Sequence, residues 1–445
     1  MTTLTAMPKY EAYKDSGIEW IGKIPKTWFL RKAKYLLSEV NIRSENGDET
    51  LLSLSKYHGV IPKDSLEERS GGAESLIGYK KVSVNQLVIN KMQAVNGLLA
   101  VSNLDGITSP DYSVYEAKGI YSSNIKYLEY LLIQPEYLAE FKRRVTGVME
   151  GFIRLYTDDL FAIQIVQPSL EEQARIVSFL DEKTAKIDEA IAIKEKQIEL
   201  LKERKQIIIQ QAVTQGLDLT VPMKDSGVEW IGMIPAHWTC INFRQIIDIL
   251  TDYTANGSFA DLAKNVTYLD EPSYSRLVRL TDLRKNLEND GVFLNKKSHI
   301  YLRKSELFGG ELLMANVGAY AGLAWLMPKI NMPATLAPNM FMIKVNYEKG
   351  LTEYISALIN SECYWCYIKT IAQASAQPKL NKENIRSLKI LLPPIDEQHK
   401  IFEYLKLINE EYEGAINLHL EQIEKLKEYK TTLINSAVTG KIKVV

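Results

Sequence analysis

"PSLEEQARIVSFLDEKTAKIDEAIAIKEKQIELLKERKQIIIQQAVTQ", residues Pro168 to Gln215, is the stretch on which the fold turns. The chain writes it again from Pro393 to Gly440 as "PPIDEQHKIFEYLKLINEEYEGAINLHLEQIEKLKEYKTTLINSAVTG". Without a gap, 18 of 48 positions are identical. Each copy opens on proline with two acids close behind, which suits a helix start because carboxylates there meet the positive end of the helix dipole. Past a first helical stretch, apolar residues recur at alternating spacings of three and four. They are Ile187, Ile191, Ile198, Leu201, Ile208 and Ala212 in the first copy, and Tyr412, Ile416, Ile423, Leu426, Leu433 and Ala437 in the second. Polar residues interrupt both stripes at equivalent places, Lys194 with His419 and Lys205 with Lys430. So narrow a stripe predicts a coiled-coil seam. Two equivalent seams in one chain predict that the helices pair with each other, as a pseudo-twofold pair.

The repetition extends upstream. "KDSGIEWIGKIPKTW" (Lys14–Trp28) and "KDSGVEWIGMIPAHW" (Lys224–Trp238) agree at 11 of 15 positions, at an offset of 210 rather than 225. Weaker echoes hold the 225 offset, Leu87 with Leu312, Gly97 with Gly322, Leu155 with Leu380, so a net insertion of 15 residues lies between Trp238 and about Leu312. The chain is read as two tandem halves, each a signature, a variable block and a helical block. The predicted organisation is a first domain over 1–167, a central helical spacer over 168–218, a second domain over 219–392 and a C-terminal helical spacer over 393–445. The fold class is α/β (mixed α+β), with mixed β-sheets in two tandem domains separated by long helices in an antiparallel coiled coil. Within the blocks, "QLVINKMQAVNG" (86–97), "SRLVRLTDL" (275–283) and "GELLMANVG" (310–318) read as strands running into glycine loops. Residues 125–145 and 351–371 read as amphipathic helices. Trp20, Ile21, Ile24 and Trp28, with Trp230, Ile231, Ile234 and Trp238, read as apolar anchors of each signature.

Composition bounds the function. The 445 residues are 46% hydrophobic and 24% charged, as in a globular protein, with a formal net charge of −1. Residues 1–167 hold 20 basic and 20 acidic side chains, and residues 219–390 hold 19 and 16, so any DNA binding rests on local clusters. Three cysteines form no disulfide framework, and the N-terminus lacks a signal-type apolar run, so a cytoplasmic setting is expected. The uncharged run Leu312–Pro328 carries Gly318 and Gly322, and fits buried strands around a glycine loop better than a membrane span. No phosphate-binding Gly-x-x-x-x-Gly-Lys loop, dinucleotide fingerprint or amino-methyltransferase tetrapeptide is present. "CYWC" (Cys363–Cys366) has the spacing of a zinc half-site but no second pair of ligands, and reads as core. No catalytic residues and no metal ligands are assigned.

What remains is a set of polar and aromatic loops. In the first half they are Lys56-Tyr57-His58, Lys91 with Gln93, Arg143 in the run Lys142-Arg143-Arg144, and Arg154 with Tyr156. In the second they are Arg276, Arg279, Arg284-Lys285, Lys296 with Lys297, Arg303-Lys304, Asn316 to Tyr320, and Gln377 with Lys379. Arg, Lys, Asn and Gln can read base edges or hold phosphates, and Tyr can stack.

The doubled "DSGIEWIGKIP"/"DSGVEWIGMIP", the doubled P-x-x-x-E-Q-x-x-I before long helices, and the two unlike blocks between them resemble the specificity subunits of type I restriction–modification systems. "ITSPDYSVY" (107–115), loosely matched by "TLAPNMFMI" (335–343), also resembles a recurrent strand of that family. The resemblance implies that each block is a target recognition domain reading half of a split double-stranded DNA site. It implies that the helices set the spacing and dock two modification subunits. The ~39 Å rise from Ile187 to Ala212 is close to the ~34 Å of one DNA turn. It further implies no cofactor in this chain. S-adenosylmethionine, ATP and Mg would serve the partners, which methylate adenine at N6 and, in the restriction subunits, translocate and cut DNA. Two other readings of the residues stay open: a helical adaptor that binds proteins and no DNA, and part of a fused single-chain enzyme.

Overall fold

In the computed structural model, which describes residues 7–56, 58–65, 75–118, 123–145, 153–288, 290–372 and 378–444, the chain divides into two units. Unit 1 is Met1–Lys194 with Leu420–Val445, and unit 2 is Glu195–His419.

Unit 1 begins with the signature, whose strands β1 (Tyr13–Asp15) and β2 (Lys23–Pro25) pair antiparallel, followed by β3 (Phe29–Lys32) and β4 (Leu37–Val40). Then come β5 (Leu52–Ser55), β6 (Gly59–Pro62), β7 (Lys80–Val82), β8 (Leu87–Asn90), β9 (Leu99–Val101), β10 (Gly106–Thr108) and β11 (Tyr112–Ala117). Helices α1 (Ile125–Leu132), α2 (Pro135–Arg144) and α3 (Thr157–Phe161) lead to β12 (Gln164–Gln167) and the long helix α4 (Leu170–Gln215). The central sheet runs β4-β11-β8-β9, antiparallel throughout. Smaller pairs β5–β6 and β7–β10 flank it, and β12 returns to pair with β3, so the variable block enters and leaves on adjacent strands.

Unit 2 repeats this order. Strands β13 (Met223–Asp225) and β14 (Met233–Pro235) form the signature, with β15 (Thr239–Asn242) and β16 (Ile247–Asp252) after it. Helix α5 (Phe259–Asn265), β17 (Tyr268–Leu269), β18 (Ser275–Val278), α6 (Leu280–Leu283), β19 (Phe293–Leu294), α7 (Lys296–Tyr301) and β20 (Glu306–Leu307) follow. The unit continues with β21 (Leu312–Ala315), β22 (Ala324–Leu326), β23 (Ala334–Leu336), β24 (Met340–Val345), α8 (Thr352–Ile359) and α9 (Glu362–Ala372). It closes with α10 (Lys382–Ser387), β25 (Lys389–Leu392) and α11 (Ile395–Val438). Sheet β16-β24-β21-β22 matches the central sheet of unit 1 strand for strand, and β15 pairs with β25 as β3 does with β12. The added length is a five-stranded mixed sheet, β17-β19-β18-β23-β20, in which β18 and β23 run parallel. Because β16 still stands 210 residues after β4 while β21 stands 225 after β8, the insertion lies between β16 and β21.

Both long helices form as the seam predicts. In unit 1, Lys430 Nζ meets Asp188 at 2.7 Å and Lys194 hydrogen-bonds Gln422, so rising numbers on α4 meet falling numbers on α11 and the pair is antiparallel. In unit 2, Lys205 meets Glu413 at 2.7 Å. Lys205 and Lys430 are 225 apart, as are Asp188 and Glu413. Lys205 and Lys430, which interrupt the two stripes at equivalent places, therefore make the same bridge, once per unit. Ile198, Ile416, Ile423, Leu426 and Leu433 are buried, and Ile191, Leu201 and Ile208 are half-buried.

The signatures are anchors. Trp28 and Trp238 are fully buried, and Trp20 and Trp230 pack edge-on against Tyr137 and Tyr364. In unit 2 the end of α4 leads through Gly216 (φ +80°) into the signature, and a Cβ there would lie 3.3 Å from Trp238. In unit 1 the end of α11 reaches the signature through space. A Cβ on Gly440 (φ +76°) would lie 2.5 Å from the Pro25 ring and 3.1 Å from Trp28, and Lys443 N–H donates to the Pro8 carbonyl at 2.7 Å. Buried tyrosines fasten each junction: Tyr127 OH donates to Val166 and Val438 carbonyls, and Tyr354 OH to those of Leu391 and Val213.

Three readings need correction. Residues 125–145 and 351–371 are each two helices. The first breaks at Gln134 because Pro135 disfavours the helical conformation before it. The second breaks at Asn360 because its amide both donates to and accepts from the Ala324 backbone, a tertiary cause. "SRLVRLTDL" is a strand only to Val278, then the short α6. Of the "CYWC" pair on α9, Cys363 is partly buried but Cys366 is exposed, so only one sulfur joins the packing. No helix among the described residues is long and apolar enough to cross a membrane.

Candidate nucleic-acid interface

In each unit the middle of the central sheet ends in a polar turn, and a later segment is laced onto it by a matching backbone bond. In unit 1, Leu155 N–H donates to the Lys91 carbonyl at 3.0 Å. In unit 2, Leu380 N–H donates to the Asn316 carbonyl at 2.9 Å. These pairs are equivalent at an offset of 225. The bond therefore gathers Lys91, Arg154 and Tyr156 on one unit, and Asn316 and Lys379 on the other, beside the loop that carries Tyr320.

The two gathered sites share a backbone and differ in side chains. In unit 1 the Arg154 guanidinium is paired with Asp111 at 3.2 Å, and Tyr156 is 48% exposed at the start of α3. Beneath them Lys80 is buried beside Glu39 at 3.4 Å, and Glu39 also accepts from Thr157 at 2.8 Å. Burial lowers the Lys80 pKa, and the nearby Lys91 charge lowers it further. In unit 2, Lys379 is exposed and lines a cleft of about 420 Å³ with Asn316, Tyr253, Phe259, Asn339 and Lys382. Phe259 is 72% exposed, and the Asn316 Oδ1 is buried without a hydrogen-bond partner. Tyr320 lies under the Arg284 guanidinium, 4.4 Å from ring centre to carbon.

The other candidates lie on other elements. Lys56 and His58 are exposed at the β5–β6 turn, and Lys56 borders a second cleft of about 420 Å³ with Asn96, Glu129 and Gln134. Gln93 is exposed and accepts from Asn96 at 2.6 Å. Arg143 is on the last turn of α2, 3.4 Å from Glu140. Lys296 stands over Tyr274 at 5.8 Å. Arg276 donates to the Leu287 carbonyl at 2.9 Å, and Arg279 grips the fully buried Asp282 at 2.8 Å, so both are engaged internally. Tyr57 and Gln377 lie outside the described residues. Among the described residues no group of three or more His, Cys, Asp or Glu side chains is placed to hold a metal ion.

The sequence reading passed over two buried glutamines that the doubled P-x-x-x-E-Q motif itself signals. Gln173 accepts from Ser123 and the Asn124 N–H and donates to the Pro168 carbonyl, while Gln398 accepts from the Leu351 N–H and donates to the Pro393 carbonyl. The neighbouring glutamates are latches too: Glu172 takes the Tyr10 hydroxyl at 2.7 Å, and Glu397 takes Trp238 at 3.1 Å and pairs with His237 at 2.8 Å. The motif is thus structural, fastening the start of each long helix to the start of α1 or α8.

Comparison with known proteins follows the same outline. The family described as "Type I restriction modification DNA specificity domain" matches residues 235–422. Among curated proteins, the type I restriction enzyme MjaVIII specificity subunit of Methanocaldococcus jannaschii is 24% identical over 327 residues, 72% of this chain and 70% of that one. The putative MjaX specificity subunit of the same organism is 23% identical over 469 residues, covering the whole of both. Among solved structures, one from a study of complex assembly and conformational transition of the type I R-M system superposes with a TM-score of 0.65 at 15% identity. It covers 93% of this chain and 98% of that one. The HsdS subunit from Thermoanaerobacter tengcongensis superposes at 0.53 and 13% identity, covering 94% and 98%. At these identities the structural matches speak for the fold.

Proposed function

The chain belongs to the family of type I restriction–modification specificity subunits, and from that premise we propose that it is the DNA-reading subunit of such a complex. Each unit reads one half of a split double-stranded site, the paired helices set the spacing and dock two modification subunits, and restriction subunits join that assembly. The observation that carries this reading is the repeated backbone lace, Leu155 to Lys91 and Leu380 to Asn316. One scaffold presents Lys91, Arg154 and Tyr156 in the first unit and Asn316, Tyr320 and Lys379 in the second. Unlike side chains on a common frame suit two unlike half-sites, because base edges in the major groove differ in their donor and acceptor patterns. Lys56, Tyr57, His58, Gln93, Arg143, Arg276, Arg279, Lys296 and Gln377 remain proposed contacts to bases or phosphates of the same DNA.

The chemistry belongs to the partners in this reading. S-adenosylmethionine, ATP and Mg serve the modification and restriction subunits, and this chain supplies position, not catalysis, in the cytoplasm. With a net charge of −1, it cannot draw DNA by a general positive field, so the partners contribute part of the phosphate binding.

The test is an exchange of residues 29–167 for the corresponding block of another specificity subunit, followed by mapping of methylated adenines in cells carrying the whole system. One half of the recognised site changes and the other stays. A change in both halves, or in neither, removes the two-reader assignment.

A further inference from the structure

We propose that Arg284 is a specificity-determining residue of unit 2, a guanine-reading guanidinium held in position by Tyr320; this rests on the DNA-reading function above. The argument begins with the arginines of this segment. Arg279 closes on Asp282 from both sides, its backbone N–H donating at 2.9 Å and its Nη2 at 2.8 Å, and Asp282 is fully buried. Arg276 donates to the carbonyl of Leu287. That carbonyl belongs to a tight turn in which Asn286 and Leu287 both take left-handed backbone angles, φ +50° and +61°. An apolar residue seldom sits there unless neighbours hold it. The Leu287 N–H is in turn taken by the Asp282 carbonyl at 2.8 Å. Arg276 and Arg279 thus brace a rigid turn, and the first residue that turn exposes is Arg284.

Arg284 is exposed, and among the described residues its guanidinium has no hydrogen-bond or ion-pair partner; it lies against a ring face. The guanidinium lies 4.4 Å above Tyr320, itself 37% exposed. A guanidinium against an aromatic face keeps its edge donors open and loses rotational freedom. A fixed fork of two unengaged N–H donors matches the O6 and N7 acceptors of guanine in the major groove. Tyr320 is on the same loop as Asn316, which borders the unit 2 cleft with Lys379. The arginine therefore stands beside the residues already gathered at the interface. Tyr320 is a positioning residue, since it acts through Arg284.

The experiment binds the complex of this chain with its modification subunits to a duplex library randomised at every position, and sequences the bound fraction. The block exchange above identifies which half-site belongs to unit 2. For the wild type, that half-site contains a G·C pair. In R284A, and equally in R284M, which keeps most of the side chain's length but has no donors, preference for that pair falls by roughly ten-fold or more while the other positions keep theirs. Y320A weakens the same preference and no other, and Y320F retains it. An unchanged motif in R284M overturns the assignment, and so does a uniform loss of affinity on all sequences in R284A, which marks a phosphate contact instead. If R284A fails to fold, R284M decides the question. A wild-type complex that enriches no split sequence sinks the DNA-reading function itself, which is a separate outcome.

Discussion

Arg279 and Asp282 lie three residues apart, and their pairing illustrates what a single contact does here. Asp282 is fully buried and Arg279 partly exposed, so removing the arginine leaves a carboxylate in the interior with less compensation. The expected cost of R279A is about 2–3 kcal/mol, in line with the penalty for orphaning a buried group. Urea unfolding of the variant measures it, and a change below about 0.5 kcal/mol would show that the pair contributes little. At this scale the sequence was legible only in part. That arginines crowd Arg276–Arg284 is plain in the string, and which of them spend their donors internally is not. Asp282 is buried, with the turn after α6 closing on its carbonyl through Lys285 and Leu287, and no spacing rule predicts that.

At the scale of elements the long helices were the most legible part of the chain. Period alone placed the seam, and even its polar interruptions have a counterpart in the bridges Lys430–Asp188 and Lys205–Glu413. The two kinds of seam position should differ in energetic weight. Leu433 has no exposure, and L433A is expected to cost about 2–5 kcal/mol through lost burial and the cavity left behind. K430A is expected to cost less than about 1 kcal/mol, because solvent reaches both partners of its bridge. Thermal melting of the two variants compares them, and equal losses would contradict the burial argument. The shorter helices were read less well. Pro135 marks one break in plain view, whereas Asn360 breaks its helix by pairing with β22, an element 36 residues away along the chain.

For the molecule as a whole, the duplication has a consequence for unit 1, where α11 packs on a signature 400 residues before it. Ile442 and Val444 are buried in that core, and Gly440 sits against Trp28. Truncation after Thr439 is therefore expected to lower the melting temperature of unit 1 by several degrees, one kilocalorie per mole amounting to roughly 2–4 °C in a domain of this size. Calorimetry is the measurement, and an unaltered first transition would show that the tail only decorates the surface. By itself the sequence determined the duplication, the paired helices, the anchoring signatures and the place of the inserted residues. Those features are periodic or repeated, and a repeat constrains the fold wherever it occurs. Only the tertiary structure decided which loops share a face and which charges are already paired. The lace from Leu155 to Lys91, and its twin from Leu380 to Asn316, join segments more than 60 residues apart, and contacts at such separation leave no pattern in a linear string.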